Sequence, residues 1–303
     1  MKKFIYVLML FSLFLIGCGE SKTESPNGNT VVIGQGAKPK SLDPHMYNSI
    51  PDLLVSRQFY NTLFSREEDG SIKPELAESY EYKNDKELDV VLKKGIKFHD
   101  GTELTADDVL FSFERMKEKP GSSIMVEEID KVEKVNDYEI KILLKNPSSA
   151  MLYNLAHPIT SIVNKKYVEA GNDLSIAPMG TGAFKLIAYN DGEKIELEAF
   201  KDYFEGAPKV EKITFRSIPE DTSMLAALET GEVDIATGMP PVSTQTIEAN
   251  DKLELISEPT TATEYICLNV EKAPFDNKDF RVALNYAIDK KSIIDSIFSG
   301  RGK

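Results

Sequence analysis

The residues that could do chemistry are few. The chain has two cysteines, Cys18 and Cys267, and three histidines, His45, His99 and His157. Paired acids stand at Asp107-Asp108, and short glycine motifs at Gly34-Gln35-Gly36 and Gly180-Thr181-Gly182. Metal binding would need His, Cys or carboxylate ligands at recurring spacings, and neither His45 nor His157 has such a partner. His99, in Phe98-His99-Asp100-Gly101, reads as a turn residue. Two cysteines are too few for a zinc ribbon. A dinucleotide site needs a third glycine and a P-loop needs Gly-Lys-Ser/Thr, and both glycine motifs lack these. The Gly180–Gly182 turn is better explained by backbone that side chains would block. No GxSxG, HExxH or CxxC occurs. Asp107-Asp108 falls where a helix should begin, and the helix N-terminus favours acids there without any acid–base role. Enzymatic chemistry therefore has little support, and no cofactor or metal is implied.

Cys18 stands apart because of what precedes it. Lys2 and Lys3 are followed by an almost wholly apolar run from Phe4 to Ile16. As a helix it would reach about 20 Å, short of the ~30 Å hydrocarbon core of a membrane. A basic start, a short apolar stretch and small residues at its end describe an export signal. Leu15-Ile16-Gly17-Cys18 resembles the lipobox of bacterial lipoproteins, which implies cleavage after Gly17 and lipid on the Cys18 sulfur. The alternative is an ordinary signal peptide with an incidental cysteine, or an uncleaved anchor. Residues 19–30 are polar and suit a tether. Cys267 would then be the only free thiol of the mature chain, so the fold must rest on packing rather than a disulfide. It lies in an alternating segment and is expected to be a small buried hydrophobe.

The chain has 36 basic and 49 acidic residues. Without Lys2 and Lys3 the balance is 34 against 49, a net charge of −15. That disfavours nucleic acid and adsorption to anionic lipid. A chain of 303 residues is long enough for two lobes.

The elements that must position these residues alternate in type. Val31–Ile33 reads as a first strand, followed by a Gly/Pro-rich loop from Gly34 to Pro44. Pro51 to Phe64 reads as a helix. Strands flank polar turns at Asn84-Asp85 and Asn136-Asp137. Between them, Thr105 and Asp108 frame a capping box ahead of Val109, Leu110, Phe113 and Met116, and Pro120-Gly121 ends that helix. A hairpin is expected around Asp191-Gly192, with Ile195, Leu197 and Ala199 turned inward. Residues 212–236 read strand, helix, strand, a βαβ unit with a parallel pair. Residues 253–270 read as two more strands, and two amphipathic helices follow, separated at Lys290-Lys291.

Several of these segments resemble one family, the extracellular solute-binding proteins of family 5, which serve ABC importers for peptides, nickel chelates, some glycans and related solutes. The resemblance is carried by Ser41-Leu42-Asp43-Pro44-His45, by Ala77 through Met116, by Pro178 to Tyr189, by residues 197–236 and by Pro274 to Ile294. Phe204 and Tyr80 stand where tryptophan is common, and Ala183 replaces the usual proline. The resemblance implies an α/β, periplasmic-binding-protein-like two-lobe fold, type II, with an inserted extra domain. Residues 1–17 would be the signal peptide and 18–30 the lipidated tether. Residues 31–47 and 166–264 would form lobe one, 48–165 the inserted domain, and 265–303 the hinge and a truncated start of lobe two. Family members run on past the equivalent of Lys303, so the chain reads as an N-terminal fragment. Carried over by position, the ligand-facing candidates are Ala37, Lys38 and Pro39, the pair Gly238-Met239, and Tyr265 and Cys267. The implied partners are a peptide or another small solute, the permease subunits of an ABC importer, and the membrane through the lipid at Cys18, with no nucleic acid and a monomeric chain. Peptide is the favoured ligand. Another solute in the same fold, or a secreted lipoprotein with a structural or enzymatic role, stays open.

Overall fold

The computed structural model describes residues 29–190, 193–258 and 262–302. The expected leader, Cys18 and the Asp191-Gly192 turn lie outside them. In chain order the elements begin with β1 (Thr30–Gln35), α1 (Ile50–Phe59), β2 (Phe64–Arg66) and β3 (Ile72–Pro74). Next come β4 (Ala77–Asn84), β5 (Glu87–Leu92), α2 (Ala106–Glu118), β6 (Ile129–Asn136) and β7 (Glu139–Leu144). The short helices α3 (Met151–Leu155) and α4 (Lys165–Glu169) lead to β8 (Phe184–Asn190), β9 (Lys194–Ala199) and β10 (Lys212–Ser217). Then follow α5 (Asp221–Glu229), β11 (Ile235–Thr237), α6 (Thr244–Glu248), α7 (Lys278–Ala287) and α8 (Lys290–Ile297).

Two sheets carry the packing. One is antiparallel, in the order β4-β5-β7-β6. Its inner face is written in the period-two alternation of Leu88, Val90 and Leu92 with Ile140, Ile142 and Leu144. These side chains meet the buried stripe Val109, Phe113 and Met116 of α2 in one core. Thr105 stands at the N-cap of α2, and the Asp108 carboxylate accepts from its amide at 3.0 Å and its hydroxyl at 3.2 Å.

The second sheet is mixed, in the order β11-β1-β10-β9-β8. β1 is parallel to β10 on one side and to β11 on the other. The βαβ unit read from residues 212–236 is present, but its two strands are not neighbours, because β1 lies between them. Pleating sends Val32 toward Ala227 and Val233 beside α5, and Ile33 toward the opposite core. That core joins Val55, Phe59 and Tyr60 to Phe184, Ile195, Leu197, Ile213 and Phe215, so α1 packs on this sheet.

Four sequence expectations are corrected. The helix predicted to reach Phe64 stops at Phe59. Asn61 and Thr62 are drawn out of helical geometry by Glu75, whose carboxylate accepts from Asn61 Nδ2 at 2.8 Å and the Thr62 amide at 2.9 Å, and Phe64 pairs with Pro74 in a β-ladder. The strands expected at residues 253–270 do not form among the described residues. A strand exists only where a neighbour takes its amides and carbonyls, and no sheet among the described residues extends there. Cys267 is accordingly exposed, not a buried hydrophobe. Finally, the break between α7 and α8 falls at Ile288-Asp289, where Asp289 caps α8 by accepting from the Ser292 amide at 3.0 Å, so Lys290-Lys291 are inside the helix.

Candidate functional site

The parallel register of the second sheet brings two of the sequence candidates together. Ile33 lies opposite Ile235 and Gln35 opposite Thr237, so β1 and β11 end side by side. The chain leaves β1 through Gly36, Ala37, Lys38 and Pro39, and leaves β11 through Gly238 and Met239. Ala37, Lys38 and Gly238 are exposed, Met239 is half-buried and Pro39 is buried. The carboxyl ends of parallel strands are where open α/β sheets take their ligands. The Thr237 hydroxyl donates to the Gly34 carbonyl at 3.1 Å and ties the two exits together. Gly238 has φ +71°, a conformation that glycine adopts without strain. Gly34 is close-packed: a Cβ there would lie 2.4 Å from the Met224 sulfur of α5.

The far end of the 36–41 loop is anchored by a residue that sequence reasoning missed. Asp52, in the first turn of α1, accepts from the Lys40 and Ser41 amides at 2.8 and 3.1 Å and pairs with the Ser49 hydroxyl. Its only sequence signal is its place as an acid in a first helical turn.

The Ser41–His45 segment then reaches the other core. Arg115 of α2 forks onto Asp43, with Nη1 donating to Oδ1 at 3.0 Å and Nη2 to Oδ2. Nη1 also lies 2.6 Å from His45 Nδ1, and His45 Nε2 donates to the Ser161 carbonyl at 2.8 Å. Burial first, and then the Arg115 charge, lower the His45 pKa to about 4, so the ring is neutral. A second tie comes from His99, whose amide donates to Gly180 O at 2.9 Å and whose Nε2 donates to Gly182 O at 2.9 Å. Burial lowers its pKa to about 4 as well. The glycines sit against α1: a Cβ on Gly180 would lie 2.1 Å from Phe59 O, and one on Gly182 2.4 Å from Gln58 O. The close backbone approach read from Gly180-Thr181-Gly182 is present.

Tyr265 and Cys267 are not brought to the strand edge by any register. Both are exposed in the segment 262–269, Tyr265 at 77%. Among the described residues, no group of three or more His, Cys, Asp or Glu side chains could hold a metal. No helix among them is long and apolar enough to cross a membrane.

A mixed α/β sheet with exposed loops at its carboxyl edge, stitched to a second antiparallel sheet, defines a periplasmic-binding-protein architecture. It superposes with a TM-score of 0.80 on the oligopeptide-binding protein AppA of Bacillus subtilis in complex with a nonapeptide, at 30% identity, over 90% of this chain and 56% of that one. It superposes with a TM-score of 0.77 on NikA of Staphylococcus aureus in complex with Ni(L-His)2, at 28% identity, over 91% of this chain and 57% of that one. The profile described as bacterial extracellular solute-binding proteins, family 5 Middle, matches residues 71–303, and the chain belongs to that family. The glutathione-binding protein GsiB of Pectobacterium atrosepticum is 36% identical over 276 residues, 89% of this chain and 54% of the relative. The chain thus spans about half the length of the curated relatives it matches.

Proposed function

We propose that this chain belongs to the substrate-binding component of an ABC importer, which captures di- or oligopeptides outside the cytoplasmic membrane and delivers them to the permease. The carrying observation is the joint exit of β1 and β11 at the sheet's carboxyl edge, in a family whose similar members are named for glutathione and oligopeptide binding. Glutathione is itself a small peptide, so both names share the main-chain amide as a recognised group. In this reading Ala37, Lys38, Pro39, Gly238 and Met239 line one wall, and Tyr265 and Cys267 lie on the hinge segment. An extended ligand is held largely through its backbone, which gives affinity with little sequence selectivity. Residues 31–47 and 166–264 act as lobe one, with α1 packed on it, 48–165 as the inserted domain, and 265–303 as the hinge and the beginning of lobe two. Ligand favours a closed state in which both lobes touch it, and the protein works as a monomeric binder, not an enzyme.

A second reading keeps the role and changes the solute, because NikA is crystallised with a nickel–histidine chelate. Titration calorimetry of the whole protein carrying this chain separates the two. Saturable one-to-one heat with glutathione or a pool of short peptides, and none with nickel plus histidine, supports the peptide reading; the reverse pattern moves the assignment to the chelate.

We also propose that lipid at Cys18 holds the protein on the extracytoplasmic face of the membrane. Two or more acyl chains give stable anchoring. Cys18→Ser in the native host should abolish acyl labelling and release soluble protein; a variant that stays labelled and membrane-bound overturns the anchor.

A further inference from the structure

Gln35 closes β1 at the point where the candidate loops diverge. Its backbone is committed, since its carbonyl accepts from the Ile218 amide at 2.9 Å and it stands in register with Ser217 and Thr237 on either side. Its side chain is only 2% exposed, yet both amide atoms, Nε2 and Oε1, lack a hydrogen-bond partner. A buried unpaired amide costs the free energy of its lost hydration, and a site that keeps one has a use for it. The direction of the side chain follows from the pleat. Gly34 faces Met224 and Val233 beside α5, so Gln35 points to the opposite face, with Ile33. The loops that leave the two strand ends beside it are open to solvent: a Cβ on either Gly36 or Gly238 would meet nothing within 4 Å, and Ala37 and Lys38 are exposed.

We propose that the Gln35 carboxamide is a ligand-recognition group that takes a main-chain amide of the bound solute, Nε2 donating to its carbonyl and Oε1 accepting from its N–H. This rests on the peptide reading above. A carboxamide and a peptide group each offer one donor and one acceptor side by side, so a single ligand amide satisfies both orphaned atoms. Recognition of this kind reads backbone rather than side chain.

Gln35→Met tests it, because it keeps the length of the side chain and removes only its polar atoms. Calorimetry against glutathione and a dipeptide pool, paired with thermal melting without ligand, provides the two readouts. The expected result is about tenfold weaker binding or more with a melting temperature equal to or above that of the parent, since a buried amide without a partner is no loss to the free protein. Unchanged affinity overturns the assignment. So does a lowered melting temperature without ligand, which would mean that the amide is satisfied inside the chain. If the parent protein itself binds no peptide, the peptide reading fails rather than the role of Gln35, and the same pair of measurements is repeated with nickel plus histidine, where equal affinity of parent and variant overturns it.

Discussion

The residues up to 258 and those from 262 to 302 contain helices of the same kind and treat them in opposite ways. In the first region α2 turns Val109, Phe113 and Met116 into a core where each is fully buried. In the second, α7 and α8 also have apolar stripes, but neither contains a buried residue. Val282, Tyr286, Ile293 and Ile297 remain exposed, while Leu284, Ile294 and Phe298 are half-covered. The first region also stitches its two sheets together through buried polar groups, whereas α7 and α8 are capped by Asn277 and Asp289 and the end of α8 is tied to the first region only at the surface, by Ser299 to the Pro241 carbonyl and Arg301 to Glu248. An apolar face states that something is to cover it. What covers it is decided elsewhere in the chain or beyond it.

The stitching should be the point at which the first region breaks. Acid gives the largest effect. His45 and His99 are both lowered from 6.5 to about 4 by burial, so between those pH values the unfolded chain takes up two protons that the folded chain refuses. Their contribution to stability is complete above pH 6.5 and is lost as pH falls toward 4. At ~1.4 kcal/mol for each pH unit, this is on the order of 3 kcal/mol for each ring. Glu75 works in the other direction, since burial raises its carboxyl and the folded state takes up that proton first. Asp43 also opposes the lowering at His45, with Arg115 and Lys119 favouring it. Urea titrations at pH 7 and 4.5 should show a net loss of several kcal/mol in the transition that reports residues 29–258. Equal stability at both values would mean that the rings are hydrated.

Arg115→Met comes next. It leaves the Asp43 carboxylate buried without its fork, at a cost of about 3–5 kcal/mol. The double variant Arg115→Met/Asp43→Leu should recover much of that. If Arg115→Met alone costs under ~1 kcal/mol, the two sheets are not joined through this pair. Gly180→Ala is smaller, about 2–3 kcal/mol, because its methyl group would meet the backbone oxygen of Phe59, which can move only with α1. A neutral outcome in urea melts would show that α1 yields without loss.

The parts of this region legible from sequence were those that local periodicity controls. The alternation of Leu88, Val90 and Leu92, that of Ile195 and Leu197, and the stripe of α2 each follow from one element's own repeat. The glycines at 180 and 182 were legible because only missing side chains permit such an approach. Contacts that depend on distant residues were not. Arg115 and Asp43 are 72 residues apart, and nothing near either one names the other. The end of α1 is set by Glu75, 14 residues beyond Asn61. That β1 lies between β10 and β11 depends on which strands meet, which the βαβ pattern leaves open. At the candidate site, the loop after β1 and the turn after β11 were named from sequence, but Gln35 was hidden among ordinary turn residues. Its interest comes from a burial that only the assembled sheet creates. Residues 253–270 alternate like strands, yet alternation describes two faces and supplies no partner for the backbone.

The smallest effect tests the second region. If the outer faces of α7 and α8 remain in water, Val282→Ser and Ile297→Ser should each change stability by no more than about 0.5 kcal/mol. Leu197→Ala, in the core of the mixed sheet, should cost about 2–5 kcal/mol in the same assay. A cost near 2 kcal/mol at Val282 or Ile297 would mean that these side chains are covered in solution, because that is the worth of removing such a group from water. The cause can then be separated by dilution. Cover provided by a second copy disappears as concentration falls and makes the melting temperature depend on it, whereas cover provided within one molecule does not. A flat dilution series with a large cost would place the partner of these helices within the same polypeptide. A sloping one would replace the expected monomer with an association built on α7 and α8.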